Sequence, residues 1–243
     1  YAKILIEGWN SEAIITTFVQ VFDTLFGYRN RSLKKLHRMV GSILILDEIQ
    51  SIPIRYWDIL NHSFKYLADH WNMTILFVTA TQPEIFSPNE MKSLVDPNRY
   101  FKAVNRISLI PQLDKKITVK EFAKSIDIHG DKSHLFIVNT IKCAKELYEE
   151  ITTLYPDEEI QYITSHIIPF QRLERIHHLQ EKKSRIAITT QLIEAGVDID
   201  FDVVYRDIAP LDSINQACGR CNRNAKQHGK THVINLINED GKS

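Results

Sequence analysis

Ile43-Leu44-Ile45-Leu46-Asp47-Glu48-Ile49-Gln50 is a run of four aliphatic residues that ends in two adjacent carboxylates. Such a run reads as a buried strand whose carboxyl end carries charge, and that is the end at which α/β sheets present ligand-binding groups. Thr74 to Val78 reads as a second buried strand. Between them, Pro53 can open a helix that sets Ile54, Trp57, Leu60, Phe64 and Leu67 on one face. Strand, helix, strand predicts a parallel βαβ unit, and with it an α/β fold.

The same alternation continues downstream. Strands are expected at Leu135 to Val138, near Ile160, at Arg185 to Thr189, at Val203 to Tyr205 and at His232 to Leu236. A helix runs through Ala144, Leu147 and Ile151. After Pro111 the chain turns polar and lysine-rich through Asp114, Lys115 and Lys116, which places a boundary between residues 1–116 and 117–243. At 243 residues two compact units use up the chain.

Thirty basic residues balance thirty acidic ones, so whole-molecule attraction is no argument for a nucleic-acid partner, and any such binding must be local. Arg29, Arg31, Lys34, Lys35, His37 and Arg38 form one basic stretch, with a solvated helix face as the plain alternative. The three cysteines, Cys143, Cys218 and Cys221, make no disulfide framework and point to a reducing, cytoplasmic setting. Apolar runs fall far short of the ~20 residues of a membrane helix, so no membrane partner is expected. Cys218 and Cys221 are spaced as a C-x-x-C pair, but no second pair accompanies them to complete a zinc site.

Adjacent acids at a strand end form a Walker B pattern. Asp47 is placed to hold a Mg²⁺ ion that bridges nucleotide phosphates, and Glu48 to orient or deprotonate an attacking water. Thr79-Ala80-Thr81 follows the second strand, so its hydroxyls emerge at the same sheet edge and can link that site to other parts of the molecule. Thr189-Thr190-Gln191-Leu192-Ile193-Glu194-Ala195-Gly196-Val197-Asp198-Ile199-Asp200 leaves a strand into a turn dense in hydroxyl, amide and acid groups, with Gly196 permitting close backbone approach. Gln216-Ala217-Cys218-Gly219-Arg220-Cys221-Asn222-Arg223 sets two guanidinium groups three positions apart, the spacing of helix-surface neighbours. Arginine's fork of donors suits charge developing on a transferring phosphate.

In order and spacing these four elements resemble motifs II, III, V and VI of superfamily 2 helicases. A finer resemblance, to the CRISPR-associated helicase-nucleases of type I systems, is carried by Leu46-Asp47-Glu48-Ile49-Gln50, Val138-Asn139-Thr140 with Ala144, and Asp207-Ile208-Ala209-Pro210-Leu211-Asp212-Ser213. Ile15-Thr16-Thr17 is similar to the threonine motif that precedes motif II in that family. The resemblance implies two RecA-like lobes, each a mostly parallel sheet flanked by helices, that close around ATP and Mg²⁺ and grip single-stranded DNA. It implies catalytic or nucleotide-contacting roles for Asp47, Glu48, Gln50, Gly196, Asp198, Gln216, Arg220 and Arg223. Coupling roles fall to Thr79 and Thr81, and nucleic-acid contacts to Thr17, Asn139, Thr140, Thr190 and Glu194. The implied partners are a guide-RNA surveillance complex and an HD nuclease domain, and the implied biology is antiviral defence.

Two departures qualify the implied ATP-dependent helicase activity. Ala217 stands where an arginine is usual, and no Gly-x-x-x-x-Gly-Lys-Ser/Thr loop occurs in the 243 residues. That loop supplies the amide cradle and the lysine for the β- and γ-phosphates, so the chain alone is expected to hydrolyse little ATP. The alternatives are a degenerate or split helicase that binds nucleic acid or a partner without turnover, and a superfamily 2 helicase outside CRISPR. The sequence contains no His-Asp dipeptide, so no nuclease activity is assigned to it.

Overall fold

The computed structural model describes residues 7–79, 83–96, 106–128, 130–193, 197–225 and 228–237. Two compact units are resolved by contacts, Tyr1–Val95 and Asp96–Ser243.

The first unit holds α1 (Phe18–Phe26), α2 (Asn30–Leu36), β1 (Ile43–Asp47), α3 (Trp57–Trp71) and β2 (Thr74–Val78). β1 and β2 pair in parallel, with Asp47 opposite Val78, so both strands end at one edge. α3 is the expected crossover. Leu60, Phe64 and Leu67 recur at helical spacing and are buried, and Asn72 ends the helix in the left-handed conformation at φ 51°. Burying each such side chain contributes about 1.5–3 kcal/mol, and truncating Phe64 to alanine would cost about 3–5 kcal/mol. The expectation of fully buried strands holds for one face only: Leu46 is buried, whereas Ile43 and Ile45 are 69% and 60% exposed. Side chains alternate along a strand, and among the described residues the second face of this two-stranded sheet has no cover.

The second unit is a six-stranded, wholly parallel sheet in the order β3-β8-β7-β4-β6-β5. Its elements are β3 (Ile107–Thr118), α4 (Val119–Ser125), β4 (His134–Ile137), α5 (Ile141–Leu154), β5 (Ile160–Ile163), α6 (Pro169–Gln180), β6 (Ile186–Thr189), β7 (Val203–Asp207), α7 (Leu211–Cys218) and β8 (Gly229–Ile237). Both faces are covered, as parallel sheets require. Phe122, Ala144, Leu147 and Ile151 from α4 and α5 pack one face, and Leu179 and Ala217 from α6 and α7 pack the other.

β3 was not legible in the sequence. The stretch around Pro111 and Lys115 reads as a linker, with the expected boundary at 116/117. In the structure Ile107–Thr118 pairs along β8, with a register shift between Gln112 and Ile117 that absorbs the charged residues. Proline is tolerated because β3 is an edge strand and needs no second ladder of hydrogen bonds. The contact division accordingly falls earlier, between Val95 and Asp96.

Candidate functional site

In the first unit Asp47 ends β1 exposed, and no hydrogen bond or ion pair engages its carboxylate among the described residues. Glu48 follows in the left-handed conformation at φ 54°, and its backbone N–H donates to the Val78 carbonyl at 2.9 Å, which ties the two strand ends together. For a residue with a Cβ that conformation costs about 1–2 kcal/mol, and such strain gathers at functional sites. The Gln50 amide donates to the Glu48 carboxylate, and the Thr79 hydroxyl donates to the Gln50 side-chain carbonyl. Glu48, Gln50 and Thr79 therefore form one chain of side chains. Thr81, expected beside Thr79, lies outside the described residues. Thr17 caps α1, its hydroxyl accepting from the Gln20 N–H at 3.4 Å.

No cluster of three or more His, Cys, Asp or Glu side chains that could enclose a metal occurs among the described residues. Mg²⁺ does not need one: it commonly takes one or two carboxylates and completes its shell with phosphate oxygens and water. The open carboxylate of Asp47 fits that mode.

In the second unit the parallel register places Ile163, Thr189, Ile137 and Arg206 on one rung, so the residues just after them share the sheet's carboxyl edge. Asn139, Thr140 and Thr190 lie there. Thr140 caps α5, accepting from the Cys143 N–H at 3.1 Å, and Thr190 is buried at the end of β6. Asn139 is exposed, yet both ends of its carboxamide are engaged: it donates to the Ile208 carbonyl at 2.7 Å and accepts from Arg206 Nη1 at 2.8 Å. Arg206 is fully buried and donates also to the Asp207 carbonyl at 2.9 Å. One oxygen of Asp207 accepts from the N–H groups of Ile208 and Leu236, both at 3.0 Å. Burial pushes this carboxyl up from its ordinary value, against those backbone hydrogen bonds and the Arg206 charge. Together Arg206 and Asp207 pin the ends of β4, β7 and β8.

The arginine motif lies toward the opposite edge. Arg220 is only 8% exposed, and its Nε donates to the Ile193 carbonyl at 2.9 Å, so it braces the preceding motif. Arg223 is exposed and pairs through Nε with Asp198 at 3.1 Å. Its turn is held by Asp200, whose carboxylate takes the N–H of Arg223 at 2.6 Å and the side-chain amide of Asn224 at 2.7 Å. Arg106, which precedes β3, donates to the Arg223 carbonyl at 2.8 Å and fixes this turn at the amino edge of the sheet. Gln216 is half-buried on α7. Glu194 and Gly196 lie outside the described residues. Burial raises both Cys218 and Cys221, the latter to about 11, so these thiols stay protonated.

A Gly-Lys-Thr string does occur, at Gly229-Lys230-Thr231, and sequence reading passed over it. It is no phosphate loop. These residues open β8, Thr231 is fully buried, and a Cβ on Gly229 would lie 2.5 Å from the Cys221 sulfur. The glycine is there for close packing. Gly241-Lys242-Ser243 lies outside the described residues.

Residues 130–226 match the family model described as CRISPR-associated nuclease/helicase Cas3, C-terminal. A protein of that name from Haloferax volcanii is 25% identical over 99% of this chain and 36% of its own length. The chain is thus similar to part of the Cas3 helicase-nucleases, through a family match confined to residues 130–226. It spans about a third of the length of that Cas3 relative. The T. fusca Cas3 structure with AMPPNP superposes with a TM-score of 0.70 at 17% identity, over 92% of this chain and 32% of that one. A structure titled CRISPR RNA-guided surveillance complex, pre-nicking, gives 0.68 at 16% identity, over 96% and 36%. At these identities the Cas3 structures bear on the fold, two parallel-sheet units of RecA-like type. The Cas3 family match contains Asn139, Thr190, Arg220 and Arg223.

Sequence reading missed Asp200 and Arg206 as organisers of the second unit. Arg206-Asp207 within the apolar run from Val203 was the available signal, since charges there must be paired or hydrogen-bonded. Nothing in the sequence distinguished Asp200 from its neighbouring acids.

Proposed function

We propose that the chain is the motor portion of a Cas3-type helicase-nuclease, a translocase that uses ATP and Mg²⁺ to move along single-stranded DNA. Its phosphate cradle would come from polypeptide outside these 243 residues. The observation that carries this reading is the Glu48–Gln50–Thr79 chain, which joins the motif II acid to the motif III hydroxyl. Asp47 would hold the metal ion, whose charge offsets that of the phosphate oxygens. Glu48 orients the attacking water and accepts its proton. Gln50 holds Glu48, and Thr79 feels any shift of Glu48 through Gln50. Arg223 is the arginine left at the surface to meet phosphate charge, whereas buried Arg220 supports the motif V backbone.

The carboxyl edge of the second sheet is the DNA-facing surface in this reading. Thr140 and the first turns of α5, α6 and α7 gather there, and helix N-termini suit phosphate groups. The partners are a guide-RNA surveillance complex that opens the target and an HD nuclease domain that cuts the delivered strand, in antiviral defence within the cytoplasm. The test is fluorescence anisotropy of labelled oligonucleotides with the purified chain. Single strands should bind in preference to duplex and more weakly as salt rises. Absence of binding, or preference for duplex, would remove the translocase reading.

A second reading, nucleic-acid or partner binding without turnover, draws on Ala217 and on the burial of Arg220. The chain alone is expected to turn over little ATP in either reading, so ATP hydrolysis by the chain supplied with a phosphate-loop segment separates the two.

A further inference from the structure

The carboxyl edge of the second sheet carries a feature that none of its motifs uses. β5 ends at Ile163, a turn closed by the Ile167 N–H on the Thr164 carbonyl at 3.2 Å follows, and α6 begins at Pro169. At this corner Ile168 is 57% exposed, Phe170 68% and Leu173 54%. Phe170 and Leu173 are three residues apart on the helix and so lie side by side. Across the edge, after β7, Ile208 and Leu211 are exposed by 40% and 66%. Strand order β7-β4-β6-β5 sets these two apolar patches three strand spacings apart, roughly 14 Å. Between them lie the exposed Asn139 and Thr140, with Thr190 buried at the end of β6. The surface is thus polar in the middle and apolar at both sides.

That pattern matches a chain with a polar, charged backbone and flat apolar faces beside it. Single-stranded nucleic acid has this chemistry, because its unpaired bases stack on aromatic rings while hydroxyl, amide and backbone N–H groups meet its phosphates. A duplex does not, since its bases are already stacked. Phe170 has no aromatic partner among the described residues, so its ring is available. We propose that Phe170 is a base-stacking platform, seating an unpaired base of single-stranded DNA at the β5 side of this edge. The proposal rests on the translocase reading for the identity of the strand, and it continues the surface which that reading already assigns to DNA.

Stacking on one aromatic residue is typically worth about tenfold in affinity. The full chain, titrated against labelled oligo-dT, should therefore lose about tenfold in affinity on Phe170→Ala, and most of that on Phe170→Leu, which keeps apolar area but no ring. Phe170→Trp should retain binding, and its added fluorescence should be quenched by oligo-dT beyond the response of native Trp9, Trp57 and Trp71. An abasic oligonucleotide should bind wild type weakly and be insensitive to Phe170→Ala. Wild-type binding unchanged by Phe170→Ala and Phe170→Leu, with no quenching in Phe170→Trp, would overturn the proposal and leave the translocase reading standing. Failure of wild type to bind any single strand would overturn both. Loss of self-association in Phe170→Ala with oligo-dT affinity unchanged would assign the patch to protein contact instead.

Discussion

The Thr79 hydroxyl donates a hydrogen bond to the side-chain carbonyl of Gln50, whose amide donates in turn to Glu48. Two strand ends that the backbone already joins through the Glu48 N–H and Val78 carbonyl are thereby joined again through side chains. Gln50 thereby connects the acid and the hydroxyl.

Gln50 and Thr79 are therefore expected to be energetically coupled. Thr79→Val and Gln50→Ala, singly and together, should show a coupling energy of about 0.5–1.5 kcal/mol in urea denaturation. Strict additivity would mean the bonds do not form in solution.

Glu48 sits at φ 54°. Glycine adopts this region without penalty, whereas alanine does not. Glu48→Gly should therefore be more stable than Glu48→Ala by about 1 kcal/mol, the reverse of the usual order of the two residues. Chemical denaturation of the pair checks the left-handed backbone independently of any activity.

His134 opens β4 only 3% exposed, with neither ring nitrogen hydrogen-bonded, and burial, aided by Arg185 and Lys132, lowers it to about 4. The unfolded chain takes up this proton near the ordinary value of 6.5. Stability is therefore fully present above pH 6.5 and falls as pH drops through the window down to about 4, by about 3 kcal/mol at most. His232 acts in the same direction, and Asp207, whose carboxyl is raised, acts in the opposite one. Subtracting the stability–pH curve of His134→Leu from that of wild type isolates the His134 contribution. A flat difference across the window would show that the ring is not buried neutral.

Arg206 ties Asn139 to Asp207 from a fully buried position. Arg206→Ala should cost about 3–5 kcal/mol, because the Ile137 and Asp207 carbonyls would lose their side-chain donor and the buried Asp207 carboxyl its neighbouring positive charge. Asn139→Ala, at an exposed end of the same network, should cost about 1 kcal/mol. Equal losses in guanidinium denaturation would mean that Arg206 is not the centre of the network.

The sequence carried the βαβ unit and most of the second sheet, because runs such as Ile186–Thr189 are buried on both faces and leave a continuous apolar signal. β3 was hidden because an edge strand tolerates Pro111 and lysines that a central strand could not. The acids at Asp47 and Glu48 were legible from position alone. The bond from Arg220 to the Ile193 carbonyl was not, since nothing in an arginine's letter and spacing shows which backbone group it donates to. Asp200 was hidden for a related reason, because its partners are the backbone of Arg223 and the side chain of Asn224, groups that leave no signature in composition.

The most direct test of the proposed motor reading, in which no phosphate loop lies within these 243 residues, is ATP hydrolysis by the purified chain with saturating single-stranded DNA, beside Glu48→Gln. The account predicts turnover at the background rate in both proteins. DNA-stimulated hydrolysis in the wild-type chain, abolished in Glu48→Gln, would contradict it.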